Sequence, residues 1–240
     1  MALCVVASSS TLLSGWDDGY LRCHAIRGGK MLWSIPNAHA RAVTAIALAK
    51  GEHFLVSGGE AGDVRIWELR NRDLVMSFEE HSMRITKIVI LADDLHIVSS
   101  SRDRTVRCWK VKQSRSFASR FEKVGALNGV AISPDQLYIV TAGQDRKITV
   151  WDMREREPAI EITEAHRGEV TCVAIPSKGG VFLTGGADHF LRLWDLATGN
   201  LLAHGLAHSS RITSVSFSPD DKKILSTGNE GALMIWNMDY

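Results

Sequence analysis

A histidine, a hydroxyl and a carboxylate within reach of one another are the parts of a nucleophilic triad, in which the imidazole takes the hydroxyl proton and the acid fixes its tautomer. This sequence offers His81, Ser99 and Asp103, and again His166, Thr184 and Asp188. Either set could be imagined as the centre of a hydrolase. A catalytic centre is built once, however, whereas these residues recur in register, each set followed by a tryptophan (Trp109, Trp194) six residues after the acid. Recurrence in register points to hydrogen-bonded struts, buried and satisfied inside a repeated unit. The expectation is a protein with no catalytic residue, not an enzyme.

The other reactive side chains read similarly. Cys23 and Cys108 stand immediately before the tryptophan position, and Cys4 and Cys172 share the column of an earlier strand. Without a CxxC pair or metal-ligand spacing they read as small core residues of a reduced, intracellular protein that binds no metal. "GGEAGD" at Gly58 is a turn, since no Lys-Ser/Thr follows as in a phosphate loop. Arg22, Arg65, Arg107 and Arg192 lie two residues before the tryptophan position, where a basic stripe is conceivable but long stems covering a strand face are the commoner arrangement. No cofactor is expected.

The 28 basic and 27 acidic residues leave a net charge of +1, so no global field draws the chain to nucleic acid or to an anionic membrane. No apolar run is long enough to span a bilayer. "MALCVVASSSTLLSG" imitates a secretory signal but lacks its basic start, which leaves a cytoplasmic protein as the expectation.

A repeat positions these columns. Trp67, Trp109, Trp151, Trp194 and Trp236 follow one another at intervals of 42, 42, 43 and 42, each closing an apolar-alternating run such as "GDVRIWEL" or "HFLRLWDL". Counting back 43 from Trp67 reaches His24, in a degenerate first copy. Each copy adds a short first strand ("TAIAL", "TSVSF") and a middle strand ("HFLVSGG", "VFLTGG"), with a fourth between copies ("KMLWSI", "DLVMSF", "AIEITE"). Period and content resemble the blades of the WD40 β-propeller family. The resemblance implies an all-β fold in a single domain, 1–240, with repeats at about 1–38, 39–80, 81–122, 123–165, 166–207 and 208–240.

In that family an Asp, a His, a Ser or Thr and a Trp hydrogen-bond across a blade. The resemblance carries this tetrad onto His81, Ser99, Asp103 and Trp109, and onto His166, Thr184, Asp188 and Trp194. The second copy has Ala61 in the acid column, the fourth Lys123 in the histidine column and the sixth Glu230 for Asp, so looser blades are expected there. The last copy ends at "IWNMDY" with no room for a fourth strand, and the first begins with its inner strand "ALCVVA". Six repeats with five outer strands predict part of a seven-bladed ring lacking one blade or its closing strand; a closed six-bladed ring is the alternative. A bare last strand is an edge open to pairing.

In "SGWDDGYLR", Trp16 fills a turn slot held elsewhere by Gly59, Ser101, Gly143, Gly186 and Gly228. Two readings stay open: packing of a degenerate blade, or an aromatic anchor for a partner. This stretch, with "NAHARAVTAIAL", "VSGGEAGDVRIWEL", "TAGQDRKITVWD" and "TGGADHFLRLWD", resembles the C-terminal propeller of cilia- and flagella-associated WD40 proteins of axonemal or centriolar microtubules. The resemblance implies a non-enzymatic protein-interaction scaffold in a ciliary, flagellar or centriolar microtubule assembly. Its partners would be other proteins, tubulin or axonemal and centriolar proteins among them, with no nucleic acid and no membrane.

Such propellers bind partners through the turns before the first and third strands. Those positions here are Trp16, Asp17, Glu60, Arg84, Arg102, Gln144, Glu169 and Arg211, a mixed-charge set suited to a protein surface. The alternative function is a substrate receptor of a cullin-type ubiquitin ligase. "WDMR", with Arg154 as the docking contact, resembles the WDxR box of such adaptors.

Overall fold

A computed structural model describes the backbone of residues 2–6, 11–111, 118–121 and 125–238, with side chains for 11–111 and 125–238. Every regular element among them is a strand, since short apolar-alternating runs are cut by turn-forming residues before any helical period can develop. The strands pair antiparallel in sequential order into six sheets, the blades of a β-propeller fold.

Blade 1 comprises β1 (Ala2–Val6), β2 (Thr11–Gly15), β3 (Leu21–Ala25) and β4 (Met31–Ile35). Blade 2 comprises β5 (Val43–Leu48), β6 (Phe54–Gly59), β7 (Val64–Glu68) and β8 (Leu74–Phe78), and blade 3 β9 (Ile85–Ile90), β10 (His96–Ser101), β11 (Thr105–Lys110) and β12 (Ala118–Phe121). Blade 4 follows with β13 (Leu127–Ile132), β14 (Tyr138–Gly143), β15 (Ile148–Asp152) and β16 (Pro158–Ile162). Blade 5 has β17 (Val170–Ala174), β18 (Val181–Gly186), β19 (Phe190–Asp195) and β20 (Leu201–Leu206), and blade 6 the three strands β21 (Ile212–Phe217), β22 (Lys223–Gly228) and β23 (Leu233–Asn237). The chain divides into two compact units, residues 1–122 with blades 1 to 3 and residues 123–240 with blades 4 to 6.

Within each unit the core is the stack of blade on blade. Leu13, Leu21, Cys23 and Ile35 of blade 1 meet Val43, Leu55 and Trp67 of blade 2. Val56, Val64, Ile66 and Phe78 of blade 2 in turn meet Ile85, Ile97 and Trp109 of blade 3. In the second unit, Val140, Ile148 and Val150 of blade 4 meet Val170, Phe182 and Trp194 of blade 5. Leu183, Leu191 and Leu193 of blade 5 meet Ile212, Val215 and Ile224 of blade 6. Full burial of one such side chain stabilises by roughly 1.5–3 kcal/mol, so each inter-blade seam carries several such contributions.

Two backbone devices lock the seams. In blades 2 to 6 the first strand slips register at one residue, respectively Thr44, Thr86, Asn128, Thr171 and Thr213. Such a bulge re-aims its side chain. Thr44 Oγ1 donates to the Ile85 carbonyl of blade 3 at 2.6 Å, and Asn128 Nδ2 to the Val170 carbonyl of blade 5 at 2.9 Å. The turn from β2 to β3 needs a left-handed residue, Gly19 at φ 80°, and a Cβ there would lie 2.2 Å from the His39 carbonyl oxygen. Only glycine meets both conditions.

Buried struts and a candidate protein-interaction face

Each histidine ring enters its blade from the segment before the first strand and meets the middle strand's hydroxyl. In blade 3, His81 Nδ1 lies 2.8 Å from Asp103 Oδ2 and Nε2 lies 2.8 Å from Ser99 Oγ, while Trp109 Nε1 donates to that same oxygen at 2.7 Å. In blade 5 the corresponding distances, through His166, Asp188, Thr184 and Trp194, are 2.9, 2.8 and 2.9 Å.

In blades 2 and 6, where the acid column holds no aspartate, the histidine still meets a carboxylate. In blade 2 the acid is Asp63, two residues after Ala61, and its Oδ2 lies 2.7 Å from His39 Nδ1. His39 Nε2 lies 2.7 Å from Ser57 Oγ, and Trp67 Nε1 donates to that oxygen at 2.8 Å. Asp63 stands at the entry to β7, in the slot that Thr105 fills in blade 3. That threonine's hydroxyl also reaches the histidine, 2.9 Å from His81 Nδ1, so two neighbouring slots serve one ring nitrogen. In blade 6, Glu230 reaches His208 Nδ1 with its longer side chain, and Ser226 joins His208 at 2.8 Å and Trp236 at 3.0 Å. In blade 4, Trp151 Nε1 donates to Thr141 Oγ1 at 3.1 Å; Lys123 lies outside the described residues.

This wiring matches a triad, but its setting rules out attack. The hydroxyls of Ser57, Ser99 and Thr184 belong to residues with no exposed surface, and an indole N–H already occupies each oxygen. Burial pushes His166 below the ordinary histidine value, which keeps it neutral at pH 7. Asp188 is raised by its own burial, but hydrogen bonds from His166, Arg192 and the Arg167 amide outweigh this and bring it to about 2. Burial likewise raises Asp103, and the bonds from His81 and Thr105 more than reverse it. In blade 5 the set is a neutral imidazole holding a carboxylate.

The arginine column is paired with carboxylates. Arg22 meets Asp18 at 2.5 Å, Arg65 Asp63 at 3.0 Å, Arg107 Glu80 at 2.6 Å and Arg192 Asp188 at 2.8 Å. These four residues therefore give no unpaired basic stripe.

Blade 1 solves the same problem differently. His24 stands where the other blades carry tryptophan, and Trp16 Nε1 donates to Ser14 Oγ at 2.9 Å. The Arg22 guanidinium lies 4.8 Å from the Trp16 ring centre and 4.9 Å from that of Tyr20, held by Asp18. Hydrogen bonding to Arg22 in turn holds the Asp18 carboxyl below its ordinary value. Trp16 is 38% exposed, so a pinned indole presents one surface outward. Sequence reading missed the Asp18, Tyr20 and Arg22 cluster; its signal was the arginine column, read there as a basic stripe or as stems on a strand face.

The turn that carries Trp16 has counterparts in the other blades. Glu60 N–H donates to the Ala42 carbonyl at 2.9 Å, Arg102 N–H to Arg84 at 3.0 Å and Gln144 N–H to Ala126 at 2.9 Å, each tying a second turn to the segment entering the first strand. Glu169 and Arg211 accept the same bond from Ala187 and Asn229 at 2.9 Å each. In the first unit Trp16, Asp17, Glu60 and Arg84 are exposed and Arg102 half-buried. In the second, Gln144 is exposed, while Glu169 and Arg211 neutralise each other at 2.5 Å. Arg154 lies past the opposite end of β15 from Gln144, with Nε and Nη2 bonded to Asp152 at 2.9 and 2.5 Å. Bonding to Arg154 lowers Asp152 to about 2.

The WD40 pattern described as "WD domain, G-beta repeat" matches residues 29–68, 72–110, 118–152, 159–195 and 199–237. Residues 1–28, which hold His24 in the tryptophan slot, fall outside these matches. The chain is 30% identical over 237 residues to cilia- and flagella-associated protein 52 of Mus musculus, covering 96% of this chain and 37% of that protein. It is 34% identical over 231 residues to the protein of the same name in Chlamydomonas reinhardtii, covering 95% and 37%. Protein tipD of Dictyostelium discoideum is 39% identical over 74 residues, 31% of this chain and 12% of that protein. The chain thus spans little more than a third of the length of its cilia- and flagella-associated relatives. Repeats and relatives together support a role in protein–protein interaction. With five matched repeats laid over blades that share buried struts and bulged first strands, the chain belongs to the WD40 repeat family.

Proposed function

We propose that this chain is a protein-interaction scaffold of a ciliary, flagellar or centriolar microtubule assembly, working by holding partners and not by catalysis. The observation that carries the proposal is the identity of 30–34% across 95–96% of the chain to proteins named as cilia- and flagella-associated in a mammal and an alga. The binding face is the set of turns bearing Trp16, Asp17, Glu60, Arg84, Arg102, Gln144, Glu169 and Arg211. Trp16 suits an anchor for a partner, because its indole is fixed before binding and little side-chain freedom is lost. The charged turns suit a polar rim that sets orientation. The partner is tubulin or an axonemal or centriolar protein.

The test is the position of the fluorescently tagged chain in a ciliated cell. Enrichment along the axoneme or at the centriole, lost in a Trp16→Ala, Arg84→Glu variant of unchanged abundance, is the expected result. A uniform cytoplasmic signal from the unaltered chain would overturn the proposal.

A further inference from the structure

The fourth strand of a blade covers the seam to the next blade with two inward side chains. In blade 1 these are Ile35 and Trp33, opposite Leu21 and Cys23. Phe78 and Met76 serve in blade 2, opposite Val64 and Ile66, and Ile162 and Ile160 in blade 4, opposite Ile148 and Val150. In blade 5 the corresponding residues, opposite Leu191 and Leu193, are Gly205 and Ala203. Two large apolar side chains are thus replaced by almost nothing, and both small residues are exposed.

The consequence is a groove of about 230 Å³ within the second unit, whose floor and walls include Leu183, Leu193, Ile224, Trp236 and Met238. The cover lost from blade 5 uncovers the tetrad tryptophan of blade 6. Trp236 is only partly buried, whereas Trp67, Trp109, Trp151 and Trp194 are 0–5% exposed. Blade 2 shows what belongs there: Phe78, in the position of Gly205, packs on Trp109 with ring centres 4.5 Å apart. A Cβ built at Gly205 meets nothing within 4 Å, so the space is open to a side chain from outside.

A further feature defines the occupant. The groove runs on through Met238 into a second hollow lined by Lys178, and Lys223 pairs in register with the groove residue Asn237. Lys178, Lys222 and Lys223 are all exposed there. The neighbouring Asp220 and Asp221 are already engaged, by Ser218 Oγ and Lys222 N–H and by Ser177 and Lys178 N–H respectively. Both carboxylates stay charged, so Lys178, Lys222 and Lys223 leave the rim one net positive charge.

We propose that this groove is a second docking site, separate from the turn face. It takes an extended segment of a partner protein whose aromatic side chain stacks on Trp236 in the place of Phe78 and whose flanking residues are acidic. Its carboxylates meet the three lysines.

The test is fluorescence anisotropy of a short fluorescein-labelled peptide, one Phe between β-branched residues with Glu at both ends, titrated with the whole chain. Saturable binding is expected, weakened by ~10-fold or more when the peptide's Phe becomes Ala and by several-fold in a Lys178→Glu, Lys223→Glu variant. An Ala203→Met, Gly205→Phe variant, which refills the groove as in blade 2, is expected to abolish binding while raising Tm. The absence of saturable binding, or equal binding of the Phe and Ala peptides, would overturn the proposal without any variant having to fold. Unchanged affinity in a folded Ala203→Met, Gly205→Phe chain would do the same.

Discussion

Asp63 illustrates how a buried polar group finds its partner by geometry and not by column. The acid column counted back from each tryptophan reaches Ala61, yet the carboxylate that holds His39 comes from the next strand entry, 2.7 Å from Nδ1. Removing it leaves a buried imidazole donor unsatisfied, so Asp63→Ala should lower stability by ~1–3 kcal/mol in urea titration, as Asp103→Ala should in blade 3. A loss under a few tenths of a kcal/mol at Asp63 would mean that the His39 strut is idle. The same groups set the acid response. His166 titrates below its ordinary 6.5 when folded, so the unfolded chain binds the proton first, and the stability present above pH 6.5 is lost as pH falls. Asp188 titrates at about 2 against an ordinary 3.8, so its contribution is whole above 3.8 and is lost as pH falls towards 2. Thermal melts should therefore show Tm declining from pH 7 to 5 and again below pH 4; a flat Tm between pH 7 and 5 would contradict the neutral buried imidazole. The struts in blades 3 and 5 were legible because all four residue types keep their columns. Trp16 bonding to Ser14 was not, because a turn residue took a role assigned to a strand residue.

Strands and turns were the most legible feature, since period-2 alternation and turn residues are local signals. What periodicity does not carry is the contact from one blade to the next. Gly58 on β6 is such a contact: a Cβ there would lie 2.6 Å from Ile85 Cγ2 on the first strand of blade 3. Gly185 meets Ile212 at the same distance across the seam from blade 5 to blade 6. The "GG" pair read as a turn signal is in part a packing requirement, and the bulged Thr44 beside it donates to Ile85 across the same seam. Gly58→Val should therefore cost ~1–3 kcal/mol or more through overpacking, measured by denaturant unfolding. Gly205→Val, with open space around it, should cost nothing. A Gly58→Val chain as stable as the wild type would contradict the overpacking at this seam.

The repeats and relatives support a protein-interaction role for a chain whose Ser–His–Asp sets are internal struts. The family was readable from the tryptophan interval, which survives the loss of any one residue; the pairing of Glu169 with Arg211 was not, because it joins side chains 42 residues apart on different blades. That pair leaves Trp16, Asp17, Glu60, Arg84 and Arg102 of the first unit as the stronger part of the proposed face. Cosedimentation of the purified chain with polymerised microtubules, wild type against a Trp16→Ala, Arg84→Glu variant with matching thermal melts, bears on this most directly. Saturable pelleting that weakens with rising salt and falls by ~10-fold or more in the variant is the expected result. A folded, monodisperse wild-type chain that stays in the supernatant, or a variant that pellets equally well, would contradict direct microtubule binding through these turns.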